Sequence, residues 1–224
     1  MDQKDLKNFK NIQCDENSII RDIISRELKP YFTEPVLDVG SSMGDILIPT
    51  IPEIRTIHID VDKIENPKNT PKGHTFLQTN FYDYLGDVGT LFMAHVLQYI
   101  DDDPIALNKK VASLNPDTII TVTNRNDDFL GKFISFLEES DIPHNAEVRI
   151  PSFPQGYQKV KSTPFTASFK AKTLEELFSQ LMYVIFDIRS LDQRNRQLAY
   201  KFVEAELSEP QITLNQSIDV YQRA

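Results

Sequence analysis

Cysteine is almost missing from this chain of 224 residues: Cys14 stands alone. One thiol can neither close an internal disulfide nor build a cysteine metal site, so a disulfide-stapled scaffold is excluded and no metal is expected. Cys14 reads as a small hydrophobe or a surface thiol. Long apolar runs are absent too. The longest are strand-length, well short of the roughly 20 residues a membrane helix requires. The opening MDQKDLKNFK is charged and has no apolar stretch of the kind a secretory leader carries. A cytoplasmic setting without a membrane partner is therefore expected. An excess of basic charge is likewise lacking: 24 Lys and Arg face 33 Asp and Glu, for a formal net charge of -9. That balance argues against a broad nucleic-acid surface, which needs clustered cations, and it suits a cationic ligand.

What is present describes a globular chain with a sizeable core, 40% hydrophobic and 25% charged. The length favours one elaborated domain, 1–224, with no internal repeat. DENSIIRDIISRELKPYF sets Ile19, Ile20, Ile23, Ile24 and Leu28 on one helical face, predicting an N-terminal helix over 15–29 that Asp15 or Ser18 caps and Pro30 ends. Near-continuous apolar runs at 35–39, 56–60, 75–77, 90–94 and 118–122 read as parallel strands buried on both faces. Helices are expected in DDDPIALNKKVASLNP, in NDDFLGKFISFLEESDIP and, with a capping box from Thr173 to Glu176, in TLEELFSQLM. YVIFDI and LAYKFVEAEL read as two further strands, joined too tightly for a helical crossover and hence an antiparallel hairpin. The segment after Glu209 fits either an edge strand or a loose end. IPSFPQGYQKVKSTP, rich in proline, predicts a surface loop or lid spanning about 141–170. The sum is an α/β, Rossmann-like three-layer sandwich: a mostly parallel sheet of about seven strands with an antiparallel C-terminal hairpin.

VLDVGSSMGDIL, Val36 to Leu47, raises the functional question, because a carboxylate and two glycines stand where a strand hands over to a helix. Glycines there let a ligand approach the backbone. A phosphate-cradling loop needs Lys then Ser or Thr after the last glycine, and Asp45 and Ile46 exclude it. A short-chain dehydrogenase turn would have glycine where Ile46 stands. Its YxxxK pair is spelled by Tyr157 and Lys161, but in a proline-bracketed loop rather than a helix, which keeps a nicotinamide reading only as an alternative.

LDVGSSMG resembles the first motif of class I S-adenosylmethionine (SAM)-dependent methyltransferases of the small-molecule type, with Asp38, Gly40 and Gly44 matching and Ser42 where the middle glycine usually stands. The later segments follow in the family's order: RTIHIDVDK, TFLQTNFYDYL, GTLFMAHVLQYIDDDP and LNPDTIITVTNRND. The resemblance implies methyl transfer from SAM, with S-adenosylhomocysteine (SAH) as product, to a small-molecule acceptor. It implies a cofactor cradle of Asp38, Gly40, Ser41, Ser42 and Gly44, with Asp60 taking both ribose hydroxyls and Val61 against the adenine. Asn80 and Phe81 would meet the adenine amino edge, with Ala94 and His95 beneath the cofactor. His95 is also the candidate general base; packing under the cofactor is the alternative. Tyr99, His144, Arg149 and Tyr157 are candidate substrate contacts. Pro49 and Pro52 should cut the first sheet-facing helix to one or two turns, and Pro67 and Pro71 break the second. That trimming also fits a non-catalytic binding subunit. A protein or nucleic-acid methyltransferase is the other alternative, although no [DN]PP[FY] tetrapeptide occurs. The oligomeric state is not legible.

Overall fold

The five expected parallel strands form. The computed structural model describes residues 13–62, 70–100, 104–142, 144, 153, 156–182 and 192–224. In chain order the strands are β1, Gln13–Cys14, β2, Val36–Val39, β3, Thr56–Asp60, β4, His74–Gln78, β5, Thr90–Ala94, β6, Thr118–Asn124, β7, Tyr157–Lys170, and β8, Gln211–Arg223. They join one sheet in the order β1-β7-β8-β6-β5-β2-β3-β4. The ladders of β2 with β3 and β5, of β3 with β4, and of β5 with β6 are parallel. From β2 the chain adds β3 and β4 on one side, then β5 and β6 on the other. Strand order therefore reverses at β2, and ligands of open parallel sheets bind beyond the carboxyl ends at such a reversal.

The described residues pack into two compact units, defined by their sequence bounds. One draws on Met1–Glu16, Asn124–Val148 and Thr166–Gln216, the other on Asn17–Thr123, Arg149–Phe165 and Ser217–Ala224. In the second unit neighbouring residues of each central strand feed different apolar clusters, as period-2 alternation requires. Val36, Phe92 and Ile120 pack with Ile20, Ile23 and Ile24, and Leu37, Leu91, Met93 and Ile119 pack with Val111. Helix α1, Glu16–Ile23, thus covers one face, and α3, Pro104–Leu114, preceded by the short α2, Leu97–Ile100, covers the other. A π-turn over Ile24–Leu28 and a 3-10 turn over Lys29–Tyr31 end the N-terminal helix, with Pro30 inside the latter. Asp15 accepts the backbone N–H of Ser168 at 2.8 Å.

The first unit holds α4, Phe129–Glu139, α5, Leu174–Gln180, and α6, Gln193–Glu206. Leu130, Phe133, Leu137, Leu177, Phe178, Ala199 and Val203 pack there with Ile212 and Leu214 of β8. Each such fully buried Leu, Ile or Phe contributes about 1.5–3 kcal/mol. Thr173 caps α5 through the N–H of Glu176 at 3.1 Å, while the Glu176 carboxylate reaches back to the N–H of Lys172 at 3.0 Å, one residue before the expected partner. Asp128 caps α4 through Leu130 N–H at 2.8 Å and also accepts Asn215 N–H at 2.5 Å. Asp128→Ala removes both bonds and is expected to cost about 2 kcal/mol in urea unfolding, a full cap plus a charge-assisted bond.

Three expectations are corrected. LAYKFVEAEL is not a strand but the body of α6. Its buried residues, Ala199 and Val203, lie one helical turn apart, and Asp192 caps the helix through Asn195 N–H at 2.8 Å. The antiparallel C-terminal pair is made instead by β7 and β8: Ala171 N–H bonds to Pro210 at one end and Ala224 N–H to Gly156 at the other. The expected loop or lid at 141–170 is strand from Tyr157 onward. Pro164 is tolerated there because β1 pairs only with Phe169 and Lys170, leaving the rest of that edge without a ladder partner among the described residues. The segment after Glu209 is β8, an interior strand whose Ile212, Leu214, Gln216, Ile218 and Val220 alternate into the protein. YVIFDI lies outside the described residues, as does most of the stretch between β3 and β4. No helix among the described residues is long and apolar enough to cross a membrane.

Candidate functional site

The glycine turn follows directly on β2. Gly40 donates its N–H to Ile59 O at 2.9 Å and Ser41 to the same oxygen at 3.2 Å, tying the turn to β3. Gly40, Ser42 and Gly44 all have positive φ, at 66°, 49° and 72°. Glycine is required at two of these positions for space as well as dihedral. A Cβ on Gly40 would lie 2.6 Å from Val96 Cγ2, and one on Gly44 would lie 2.7 Å from Ile48 Cδ1 and 3.0 Å from His58 Cε1. Beyond Gly44 the expected short helix is replaced by successive turns over 42–50, with isolated bonds from Ile48 N–H to Gly44 O and from Ile51 N–H to Leu47 O. Pro49 and Pro52 withhold the amide hydrogens a longer helix would use.

Asp60, the last residue of β3, faces this turn. Its Oδ2 accepts Ser42 N–H at 3.1 Å and its Oδ1 accepts Asp62 N–H at 3.0 Å. An ionised carboxylate has about four acceptor positions. Two are engaged, and the other two can receive a vicinal diol. Val61, alongside, is 63% exposed, an apolar surface at the crest of the sheet. Its carbonyl is braced by Gln78 Nε2 at 3.2 Å.

Asp38 has a partner that the sequence reading missed. Its side chain sits in the third position of β2, 4% exposed, and Oδ2 lies 2.8 Å from Nδ1 of His58, its register partner on β3. His58, fully buried, continues through Nε2 to Nδ1 of His74 at 2.9 Å, and its ring stacks on Phe76 at 4.5 Å. The carboxylate read as facing the ligand is therefore satisfied from the neighbouring strand. Desolvation pushes the Asp38 pKa up, against the hydrogen bond and charge of His58. Burial, then the nearby His58, hold the His74 pKa below 6.5. The sign follows: the unfolded chain protonates His74 first as pH falls through 6.5, so native His74 costs stability there. Asp38, with its raised value, acts in the opposite sense. His74→Gln is accordingly expected to gain thermal stability relative to the wild type as pH drops from 7.5 to 5.5, read as a widening Tm difference.

Asn80 is also committed differently from its expected role. Its Oδ1 accepts Tyr82 N–H at 2.9 Å and caps a 3-10 turn over Phe81–Asp83, so the oxygen expected to meet an adenine amino group serves the backbone. Phe81 is buried, with the Lys110 ammonium 6.0 Å from its ring centroid. Lys110 Nζ donates to the carbonyls of Tyr82, at 2.9 Å, and Tyr84, pinning the loop after β4.

No family model matches the chain, and no curated protein does. Solved structures do. A cyclopropane-fatty-acyl-phospholipid synthase-like protein from Lactobacillus casei superposes with a TM-score of 0.56 at 11% identity, covering 99% of this chain and 100% of that one. A candidate RNA methyltransferase from Pyrococcus horikoshii gives 0.52 at 11%, covering 93% and 83%. Coclaurine N-methyltransferase, solved with N-methylheliamine and SAH, gives 0.50 at 8%, covering 93% and 71%. The chain has the class I methyltransferase fold.

In that methyltransferase fold the remaining predicted residues fall into three groups. Ala94 ends β5 at the strand-order reversal, and His95 follows with φ of 50° and its N–H bonded to Val122 O at 3.1 Å. Both lie at the carboxyl edge with Gly40 and Asp60, and Val96 fills the space beside Gly40. Tyr99 belongs to α2, whose side chain at that position is not described; Arg149 lies outside the described residues; His144 belongs to the other compact unit. Tyr157 is a correction. Its hydroxyl donates to Pro116 O at 2.6 Å, just before β6, so it stands at the amino edge of the parallel strands, opposite the glycine turn. Lys161, its YxxxK companion, pairs with Glu27 at 3.0 Å from within a strand, which removes the dehydrogenase geometry. A polar cleft of about 590 Å³ also opens at that amino edge, lined by Glu34, Arg55, Tyr84, Lys110, Asp117 and Arg223. It contains none of the cradle residues, so the candidate site is defined by the glycine turn and Asp60. No cluster of His, Cys, Asp or Glu among the described residues could hold a metal ion.

Proposed function

We propose that residues 1–224 act as one SAM-dependent methyltransferase domain that methylates a small molecule by in-line transfer. The carrying observation is the Asp60 carboxylate, fixed at the carboxyl edge by Ser42 and Asp62 with acceptor capacity to spare, beside a glycine turn that a Cβ would fill. These residues suit the group. Asp60 would hold the ribose diol, Val61 the adenine face and the backbone of Gly40, Ser41, Ser42 and Gly44 the amino-acid end. Ala94 and Phe81 would close the adenine side, and Asn80 retains its amide N–H for a ring nitrogen. Bound SAM supplies a methyl group on a sulfonium that departs as a neutral thioether. The protein's task is then to align the acceptor and exclude water. His95, half-buried at the strand-order reversal, would take the proton of an acceptor that is protonated at working pH.

The net charge of -9 and the lack of an amino-methylating tetrapeptide support a small acceptor over a nucleic acid. Lys159 and Lys161, the one modest basic feature, are paired with Asp219 and Glu27. Incubation with methyl-labelled SAM and a cell extract, followed by size separation, tests this. Label in small molecules supports the proposal, and label in protein or RNA replaces the acceptor class. A second reading, a non-catalytic subunit of the same fold, draws on the helix-free segment 42–50 and on the commitments of Asp38 and Asn80. It predicts ligand binding with no label transferred.

A further inference from the structure

Asp38, His58 and His74 form a continuous hydrogen-bonded line across three neighbouring strands, with links of 2.8 and 2.9 Å. The glycine turn lies directly on it, because the absent Cβ of Gly44 would sit 3.0 Å from His58 Cε1. The line can hold two protonation states without moving a heavy atom. In one, Asp38 is ionised, His58 donates Nδ1–H to it, and His58 Nε2 accepts the Nδ1–H of His74. In the other, one more proton lies between Asp38 and His58, His58 donates from Nε2 to His74 Nδ1, and His74 carries Nε2–H. That outer nitrogen lies beside the carbonyls of Ile51 and Pro52 without a hydrogen bond of good geometry in this structure. The net charge behind the turn is -1 in the first state and zero in the second, and the titration belongs to the chain of groups rather than to one residue.

Building on the SAM reading of this site, we propose that His58, backed by His74, is a positioning and specificity residue: it sets the charge on Asp38 and so makes the pocket select the sulfonium cofactor over its neutral thioether product. The anionic state favours a cation above the turn, and the proton-loaded state loses that preference. The other charged group facing Asp38 is Asp60, whose repulsion favours protonation of Asp38. At the turn, a Cβ on Gly44 would meet both the His58 ring and the apolar side chain of Ile48, so no charged group stands at that point of approach. Binding of SAM, which adds a sulfonium charge to the ammonium that both ligands carry, is therefore coupled to proton release more strongly than binding of the thioether.

Isothermal titration of the full chain with SAM and with SAH, at pH 5.5 and 7.5 and in two buffers of different ionisation heat, counts the protons released. SAM affinity is expected to rise by up to about tenfold across this range, the full effect of a coupled shift of one pKa unit, with about half a proton released per SAM bound where the release is largest. SAH affinity should change less than threefold. The α-amino group is common to both ligands, so the difference between their slopes isolates the response to the sulfonium charge. His58→Gln keeps a donor and an acceptor but cannot titrate, and is expected to bind both ligands while losing the SAM slope. Should that variant fail to fold, His74→Gln carries the same prediction in weaker form, a smaller slope and fewer protons released. Equal slopes for SAM and SAH, or an unchanged SAM slope in a folded variant, overturn the inference and leave the cofactor reading standing. Failure of either ligand to bind the wild type overturns both.

Discussion

Asp60→Ala is expected to weaken SAM binding about 100-fold while leaving the fold intact. One carboxylate receiving both hydroxyls of a diol makes two charge-assisted hydrogen bonds, each contributing about 1.5–3 kcal/mol, and about 1.4 kcal/mol corresponds to a factor of ten. Partial replacement by water brings the sum down to roughly two decades. The backbone N–H groups of Ser42 and Asp62 lose their acceptor in the same variant, but both residues are exposed and can turn to solvent. The Tm should therefore fall by only a few degrees, and circular dichroism should match the wild type. Titration calorimetry decides the matter. An affinity within threefold of the wild type would remove the acid from the site.

Gly40→Ala is the second variant with a large expected effect, and its cost has two separable parts. The left-handed dihedral at φ of 66° carries about 1–2 kcal/mol for any residue with a Cβ. The contact at 2.6 Å with Val96 Cγ2 adds an overpacking cost of about 1–3 kcal/mol. Chemical denaturation should register a total of about 2–5 kcal/mol, and SAM affinity should drop by more than tenfold because the turn must shift. Combining the change with Val96→Ala should recover the steric part and leave the backbone part, so the two effects will not add. Full additivity would mean that the glycine turn and the residue after His95 do not meet as described.

The parallel core was legible because β2, β5 and β6 are short, apolar-rich runs, β3 alternates Ile57 and Ile59 with polar residues at strand period, and no helix-spaced pattern competes with them. LAYKFVEAEL misled because Leu, Tyr, Phe and Val crowd together as in a strand. Only Ala199 and Val203 are buried, which is helix spacing, and Asp192 with Asn195 was the overlooked cap. The strand at Tyr157–Lys170 was obscured by Pro164, which is harmless at a sheet edge and prohibitive inside one.

At the site, the turn was legible because Gly40 and Gly44 take a positive φ where a Cβ has no room, and Asp60 was legible as the acid that ends β3. The line behind them was not. His58 stands two residues before Asp60, as Asp38 stands two before Gly40, so equal register was the available signal that they would face each other. His74 gave no such signal, because its reach to His58 depends on ring orientation at the start of β4. Asn80 misled for a related reason: an amide before a short 3-10 turn caps that turn, and nothing in its spacing distinguishes the cap from an adenine contact.

Titration calorimetry of the unmodified chain with SAM and SAH, beside NADH and ATP as competitors for the same crest, tests the central claim most directly. Binding of one SAM per chain and one SAH per chain, abolished for neither by the other two compounds, is the predicted result. No heat from SAM or SAH at millimolar concentration, or saturable binding of NADH or ATP in their place, would contradict it.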